Sequence, residues 1–151
     1  MIPPRDSTAR WSFLSAERVL GSGTGWHDLE QAIRGIPQQA DWPNEICDLV
    51  SPSGQVLSIG VAQKGTAENP LLAEDLACAN HQPASGDPPY RTVVGDRDLD
   101  FDSGGVVVFR RAGTWTEILR RHCVPVETMV RMARHFIENE SLPDWIAWED
   151  V

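Results

Sequence analysis

From Met129 the apolar residues fall at Met129, Val130, Met132, Ala133, Phe136 and Ile137. That spacing, i, i+1, i+3, i+4, i+7, i+8, predicts a helix with one wide buried face. Arg131, Arg134, His135 and Glu138 fall between the apolar pairs and face water. Pro125 suits the first helical turn, where its missing N–H costs nothing, and Glu127 sits at the positive end of the dipole. Pro143 bars continuation, so the helix ends near Asn139 or Glu140. Trp145, Ile146 and Trp148 then read as a short strand. A second, shorter helix is predicted at Trp26, Leu29 and Ile33, with Ala32 and Ile36 beside them. Thr24 is its expected N-cap, and Gly35 with Pro37 ends it.

Between the helices the period changes to two. Glu45–Val50 reads as a strand, Ser51–Gly54 as a turn, and Gln55–Gln63 as the antiparallel return, with Leu57, Ile59 and Val61 pointing inward. Asp75–Asn80 and Tyr90–Val94 read as further strands. Val106–Arg111 and Thr114–Leu119, joined by Ala112-Gly113, form a second hairpin. Arg10–Leu20 is either a strand or an irregular lead-in. Lys64–Glu74 and His81–Pro89 are loops, and residues 1–9 form a loose N-terminal segment. Strands joined by short turns pair antiparallel, so the fold class is α+β: a largely antiparallel sheet with two amphipathic helices packed on it, as one domain over residues 1–151.

Charge sharpens this picture. Thirteen basic residues, among which Lys64 is the lone lysine, face 22 acidic ones, for a formal net charge of −9. Such a surface repels nucleic-acid phosphates and anionic membranes; it suits either simple solubility or a cationic protein partner. Cys47, Cys78 and Cys123 are odd in number and form no C-x-x-C pair, which points away from a zinc knuckle or a redox motif. With no apolar leader and no membrane-length run, a cytoplasmic protein with reduced, packed thiols is expected.

The chemistry-bearing patterns are weak. Gly21–Gly25 (GSGTG) precedes a helix, whose N-terminal amides attract anions, but it lacks the Gly-Lys-Ser/Thr ending of a P-loop and the spacing of a dinucleotide fingerprint. A flexible glycine lead-in is the favoured reading. The run Asp96, Asp98, Asp100, Asp102 resembles the start of a calcium loop. Counted from Asp98, however, position six is Ser103 and position twelve is Phe109, against glycine and glutamate in a calcium cage. If extended, the run presents four carboxylates on one face, either as a solvated edge or as a surface for arginines and lysines. His122-Cys123 has no evident third group, and His27, His81 and His135 have no metal-type spacing. No catalytic residues, cofactor or metal are expected. Of the six tryptophans, Trp26, Trp115, Trp145 and Trp148 are expected in the core, and Trp11 or Trp42 at an interface.

Taken in order, GWHDLEQAI, the hairpin ICDLVSPSGQVLSIGV, the strand SGGVVVF with its partner TWTEI, and the closing VPVETMVRMARHFIENESLPDWIAW resemble immunity protein family one of bacterial polymorphic toxin systems. The resemblance runs from about Trp26 to Trp148. It departs from the family pattern at Asn139-Glu140-Ser141, where a helix-ending glycine is usual. It implies a small, non-enzymatic cytoplasmic protein that occludes the C-terminal toxin domain of a secreted effector. The family's toxins include nucleases and nucleic-acid deaminases, whose cationic surfaces an acidic inhibitor can occupy as a phosphate mimic.

The expected partner is thus a basic, nucleic-acid-acting toxin domain, with no direct nucleic acid and no membrane. Its expected contacts are Asp96, Asp98, Asp100 and Asp102 first, then Glu68 and Asp87 as exposed acids, with Tyr90 as an aromatic anchor. The competing reading is a small-ligand-binding domain or enzyme built on Gly21–Gly25 with His27 and Asp28. A third is an adaptor with no toxin.

Overall fold

A computed structural model describes residues 9–96 and 105–151 of the chain. Its main sheet contains β1 (Trp11–Ser15), β2 (Arg18–Gly23), β3 (Ile46–Val50), β4 (Val56–Ala62), β5 (Leu76–Gln82), β6 (Arg91–Val94), β9 (Val124–Pro125) and β10 (Ala147–Asp150). The spatial order is β10-β6-β5-β4-β3-β1-β2, and β9 lies beside the start of β5. All of its strand pairs are antiparallel. A separate hairpin, β7 (Val106–Arg111) and β8 (Thr114–Leu119), crosses one face. Helices α1 (Trp26–Arg34) and α3 (Val126–Asn139) cover the other, and α2 (Ile36–Gln39) is a single turn after α1. The α+β reading is therefore correct.

The apolar stripe of α3 is the centre of the core: Met129, Val130, Met132, Ala133, Phe136 and Ile137 are all buried. They pack with Leu29 and Ile33 of α1 onto Phe13, Leu49, Leu57 and Ile59 of the sheet. Pro125 caps the helix from outside rather than joining its first turn. At the other end Glu140 adopts a left-handed φ of +52° where glycine is usual, its N–H reaching Phe136 O at 2.7 Å. Its side chain explains the exception. Glu140 Oε1 accepts the Ser53 N–H at 3.1 Å and the Ser53 hydroxyl, and Gln55 Nε2 donates to its carbonyl at 3.1 Å. Three bonds to the β3–β4 turn offset a conformational cost of about 1–2 kcal/mol.

Three expectations are corrected. The glycine run is not a flexible lead-in, because Gly21–Gly23 belongs to β2. A Cβ on Gly21 would lie 3.0 Å from Ala32 Cβ, and one on Gly23 would lie 2.2 Å from Asp28 Cβ. These glycines let α1 lie close on the strand. Thr24 is not the helix cap; Gly25 is, and Asp28 accepts the Thr24 N–H at 2.9 Å. That bond, followed by one from the Gly25 N–H, holds the Asp28 carboxyl below its ordinary value against some desolvation.

The third correction concerns the sheet's second face. Leu57, Ile59 and Val61 are buried as expected, but Gly60 and Ala62 are buried too. The β7–β8 hairpin lies over them and makes a second core from Ile46, Ala62, Leu76, Cys78, Val107, Phe109 and Cys123. Strand-by-strand periodicity could not reveal this cover, which comes from a segment far along the chain.

The tryptophans also redistribute. Trp11 is fully buried, edge-on to Phe136 at 5.2 Å between centroids. Trp26 and Trp148 flank the same core. Trp115 (52% exposed) and Trp145 (42% exposed) are not core residues. Trp115 lies on the hairpin's outer face, away from Phe109 and Val107. Trp145 precedes β10 and carries the Arg131 guanidinium over its ring at 4.6 Å. Trp42 is 49% exposed and lies over the hairpin turn, where a Cβ on Gly113 would be 2.9 Å from its ring.

Candidate partner-binding surface

The hairpin is held at its tip and along one edge. Ala112 and Gly113 have φ of +50° and +82°, the two-residue turn that matches strand twist. Glu45, 1% exposed, accepts the Ala112 N–H on Oε1 at 2.8 Å. Its other oxygen is buried with no hydrogen-bond partner among the described residues. Burial raises the Glu45 pKa, partly countered by the Ala112 and Gly113 amides. Arg110 ties the outer face together: Nε donates to Glu68 at 2.7 Å, Nη1 donates to Gly113 O at 2.7 Å, and the guanidinium lies 5.6 Å from the Trp42 ring centroid.

The two hairpin edges differ. On β7, Arg110 N–H donates to Asn44 O at 2.8 Å. The Asn69 amide then pairs with Val108 as a strand would, accepting its N–H and donating to its carbonyl, both at 2.8 Å. Opposite these residues in the register stand Trp115, facing Arg110, and Glu117, facing Val108. Their backbone groups point away from β7 along the outer edge of β8. Among the described residues, β8 pairs with β7 alone.

Between that edge and the main sheet runs a groove of about 480 Å³, lined by Ile46, Asn80, Thr92, Thr116, Glu117, Ile118, Leu119, His122, Glu149, Asp150 and Val151. Its floor belongs to a cross-sheet row. The registers align Leu14, Asp48, Ser58, Asn80, Thr92 and Glu149 across β1, β3, β4, β5, β6 and β10. Arg111 grips Asp48 with both terminal nitrogens at 2.7 and 3.0 Å, and Ser58 donates to the same carboxylate at 2.7 Å. Glu149 is bound by Arg121 and by His122 Nε2, the latter at 3.0 Å. The His122 bond is the largest cause lowering the Glu149 pKa; desolvation opposes it, and the Arg121 bond adds to it. A second cleft, about 430 Å³, lies between Glu68–Ala73 and Gly105–Val107 with Arg120.

The residues expected to contact a partner do not form one patch among those described. Asp98, Asp100 and Asp102 lie outside the described residues. Asp96 is exposed just past β6, its N–H 3.2 Å from Arg121 O. Asp87 is exposed and Tyr90 is 39% exposed, its hydroxyl donating to Gly86 O at 2.6 Å. These two sit before β6, separated from Asp96 by its four residues, about 13 Å of strand. Glu68 is no free surface acid: its side chain is 12% exposed and paired with Arg110. Sequence reasoning passed over Asp48, Asn80, Thr92 and Glu117; their alignment depends on register between distant strands, which no local pattern encodes.

The ligand-pocket reading on Gly21–Gly25 finds no support. Trp26 packs against the core beneath α1, His27 is exposed, and none of the clefts described above is lined by the glycine run. Among the described residues, no group of three His, Cys, Asp or Glu could hold a metal ion, and no helix is long and apolar enough to cross a membrane.

Compared with known families, the chain matches Immunity protein Imm1 over residues 23–150, from the end of β2 through β10. The chain belongs to the Imm1 immunity protein family. Among curated proteins none matches it. The Imm1 match spans α1, α2, α3 and the hairpin that closes the second core, so it covers the described architecture apart from β1 and most of β2.

Proposed function

We propose that this Imm1 protein is a non-enzymatic cytoplasmic inhibitor. It binds the C-terminal domain of a cognate toxin, a basic nucleic-acid-acting deaminase or nuclease, and occludes its active site, protecting the producing cell. The observation that carries the reading is the family match over residues 23–150. The net charge of −9 supports the sign of the partner: a domain that binds nucleic acid presents cations, and an acidic inhibitor is steered toward them. Asp96, Asp98, Asp100 and Asp102 supply that steering, helped by Asp87, with Tyr90 as an aromatic contact. Glu68 contributes through Arg110, whose position it holds, rather than as a free charge.

The test is affinity capture of the tagged protein from producing cells, followed by association kinetics with the purified partner domain. One basic effector fragment recovered at stoichiometric yield, inhibited by the protein and bound more slowly as salt rises, is the expected result. D98K/D100K should slow association about tenfold or more with little change in stability. Unchanged kinetics in that variant would remove the acidic-run steering. A captured fragment whose activity is unaffected would remove the immunity reading itself.

A further inference from the structure

The outer edge of β8 and the groove beside it define a site of a particular shape. On β7 the outward N–H of Arg110 is bound by Asn44 O, and both outward groups of Val108 are bound by the Asn69 amide. β8 has no counterpart: the backbone groups of Trp115 and Glu117 face outward with no strand, loop or side-chain amide set against them among the described residues. An edge left open in this way is a template for another strand. Folds commonly blunt such edges with lysine or proline; β8 (TWTEIL) contains neither.

The surroundings select what can bind. The space beside β8 is a groove rather than open solvent, about 480 Å³, with Ile46, Ile118, Asn80 and Thr92 along it. A strand added to β8 alternates its side chains, so one set enters this groove and the other stands beside Trp115 and Glu117 on the outer face. The acids of the groove are not equally paired. Glu149 is held by Arg121 and His122, and Asp150 lies 3.7 Å from the Arg91 guanidinium. Glu117 has no cation among the described residues: its carboxylate accepts the Trp115 indole N–H at 3.3 Å.

We propose that β8 receives an extended segment of the cognate toxin domain as an added strand. The segment places an apolar side chain in the Ile46–Ile118 groove and a lysine or arginine beside Glu117. This rests on the immunity reading above and specifies how the partner is held. Main-chain bonds to Trp115 and Glu117 supply affinity, while the groove and Glu117 supply selectivity.

The experiment uses the effector domain identified by the capture above, repurified in an inactivated form, with the full-length protein. Amide hydrogen exchange is measured residue by residue, free and in complex. Slowing by tenfold or more at Trp115 and Glu117, with Thr116 and Ile118 already slow through their bonds to β7, is the expected alternation. E117P removes one outward N–H and leaves the β7 ladder intact, since proline is tolerated where an edge N–H faces outward. It should weaken binding about thirtyfold, and E117Q, which removes only the charge, by less. If E117P proves unstable, the exchange pattern decides alone. Unchanged exchange at Trp115 and Glu117 in an inhibited complex would overturn the added strand and leave the immunity reading standing. Protection of both amides in the free protein, with a dimer in solution, would also overturn it, by assigning the edge to a second copy. Failure of wild type to bind any toxin domain would overturn both readings.

Discussion

Asn69→Ala isolates what a single side chain contributes by imitating a strand. Asn69 is 7% exposed, and its amide satisfies both the N–H and the C=O of Val108, which is itself 6% exposed. Alanine leaves two backbone groups without partners in a setting with little access to water. Each such group costs about 1–3 kcal/mol. Some relief comes from water entering the space the amide vacates, so the net loss should be about 2–4 kcal/mol. For a chain of this size that lowers Tm by roughly 5–15 °C. Urea unfolding gives the loss directly, and hydrogen exchange at the Val108 amide locates it. Asn69→Asp sharpens the test. A carboxylate still accepts the Val108 N–H but sets its second oxygen against the Val108 carbonyl, so the variant should be at least as unstable at neutral pH and recover in acid, where a protonated carboxyl donates again. A loss below about 0.5 kcal/mol in Asn69→Ala, within the scatter of ordinary surface substitutions, would refute the reasoning. It would mean that water serves the β7 edge as well as Asn69 does.

The other predictions concern sites away from that edge. A Cβ on Gly95 would lie 1.8 Å from Cys123 O, whereas one on Gly25 meets nothing within 4 Å. Gly95→Ala should therefore lower Tm by about 5–10 °C and Gly25→Ala by only about 1–3 °C, the cost of alanine at a helix N-cap; equal melting of the two would contradict the packing of β6 against the 121–123 segment. Burial pushes the Cys47 and Cys123 thiols up to about 12 and Cys78 well above its ordinary value. An aromatic disulfide reagent at pH 8 should thus leave all three unmodified until denaturant is added, and rapid native labelling would show a thiol to be accessible. Glu45 and Glu149 should act on stability with opposite signs. Burial raises the Glu45 pKa, so its native state holds the proton longer than the unfolded chain, and stability falls as pH rises through that range. His122 and Arg121 lower the Glu149 pKa, so its contribution is present above the ordinary carboxyl range and lost as pH falls through the native value. Urea midpoints from pH 3 to 7 should flatten in Glu45→Gln on one side and Glu149→Gln on the other; parallel curves for both variants and wild type would exclude this linkage.

Much of the frame was legible along the chain because it rests on local periodicity. The stripe from Met129 to Ile137 is buried as its spacing predicts, and Leu57, Ile59 and Val61 point inward. The two-residue hairpin turn at Ala112-Gly113 is where the flanking runs of Val106–Arg111 and Thr114–Leu119 place it. The resemblance to the Imm1 family came through the same features: glycine, proline and apolar positions at fixed spacing.

The surface was not legible in that way. Glu68 and Trp115 show why, since their residue types pointed in the wrong direction. An acid in a loop became the partner of Arg110, and a tryptophan in a strand was left outside because its parity places it opposite Arg110, on the hairpin face turned from the core. Asn69 and Glu45 have no local signature at all. Their roles exist only because residues 39 and 67 positions away along the chain arrive beside them.

What the sequence determined alone is the identity of α1, α3, β3, β4, β7 and β8 and the face that α3 buries, because a period of 3.6 or 2 is a property of neighbours in the chain. It also determined the sign of the molecule's charge. The tertiary structure alone decided that the sheet has cores on both faces and that Gly21–Gly23 is a packed strand. It decided too which hairpin edge is bound by Asn69 and Asn44 and which, among the described residues, has no strand beside Trp115 and Glu117. Those outcomes depend on where distant segments meet, and backbone groups are satisfied or left free only once that meeting has taken place.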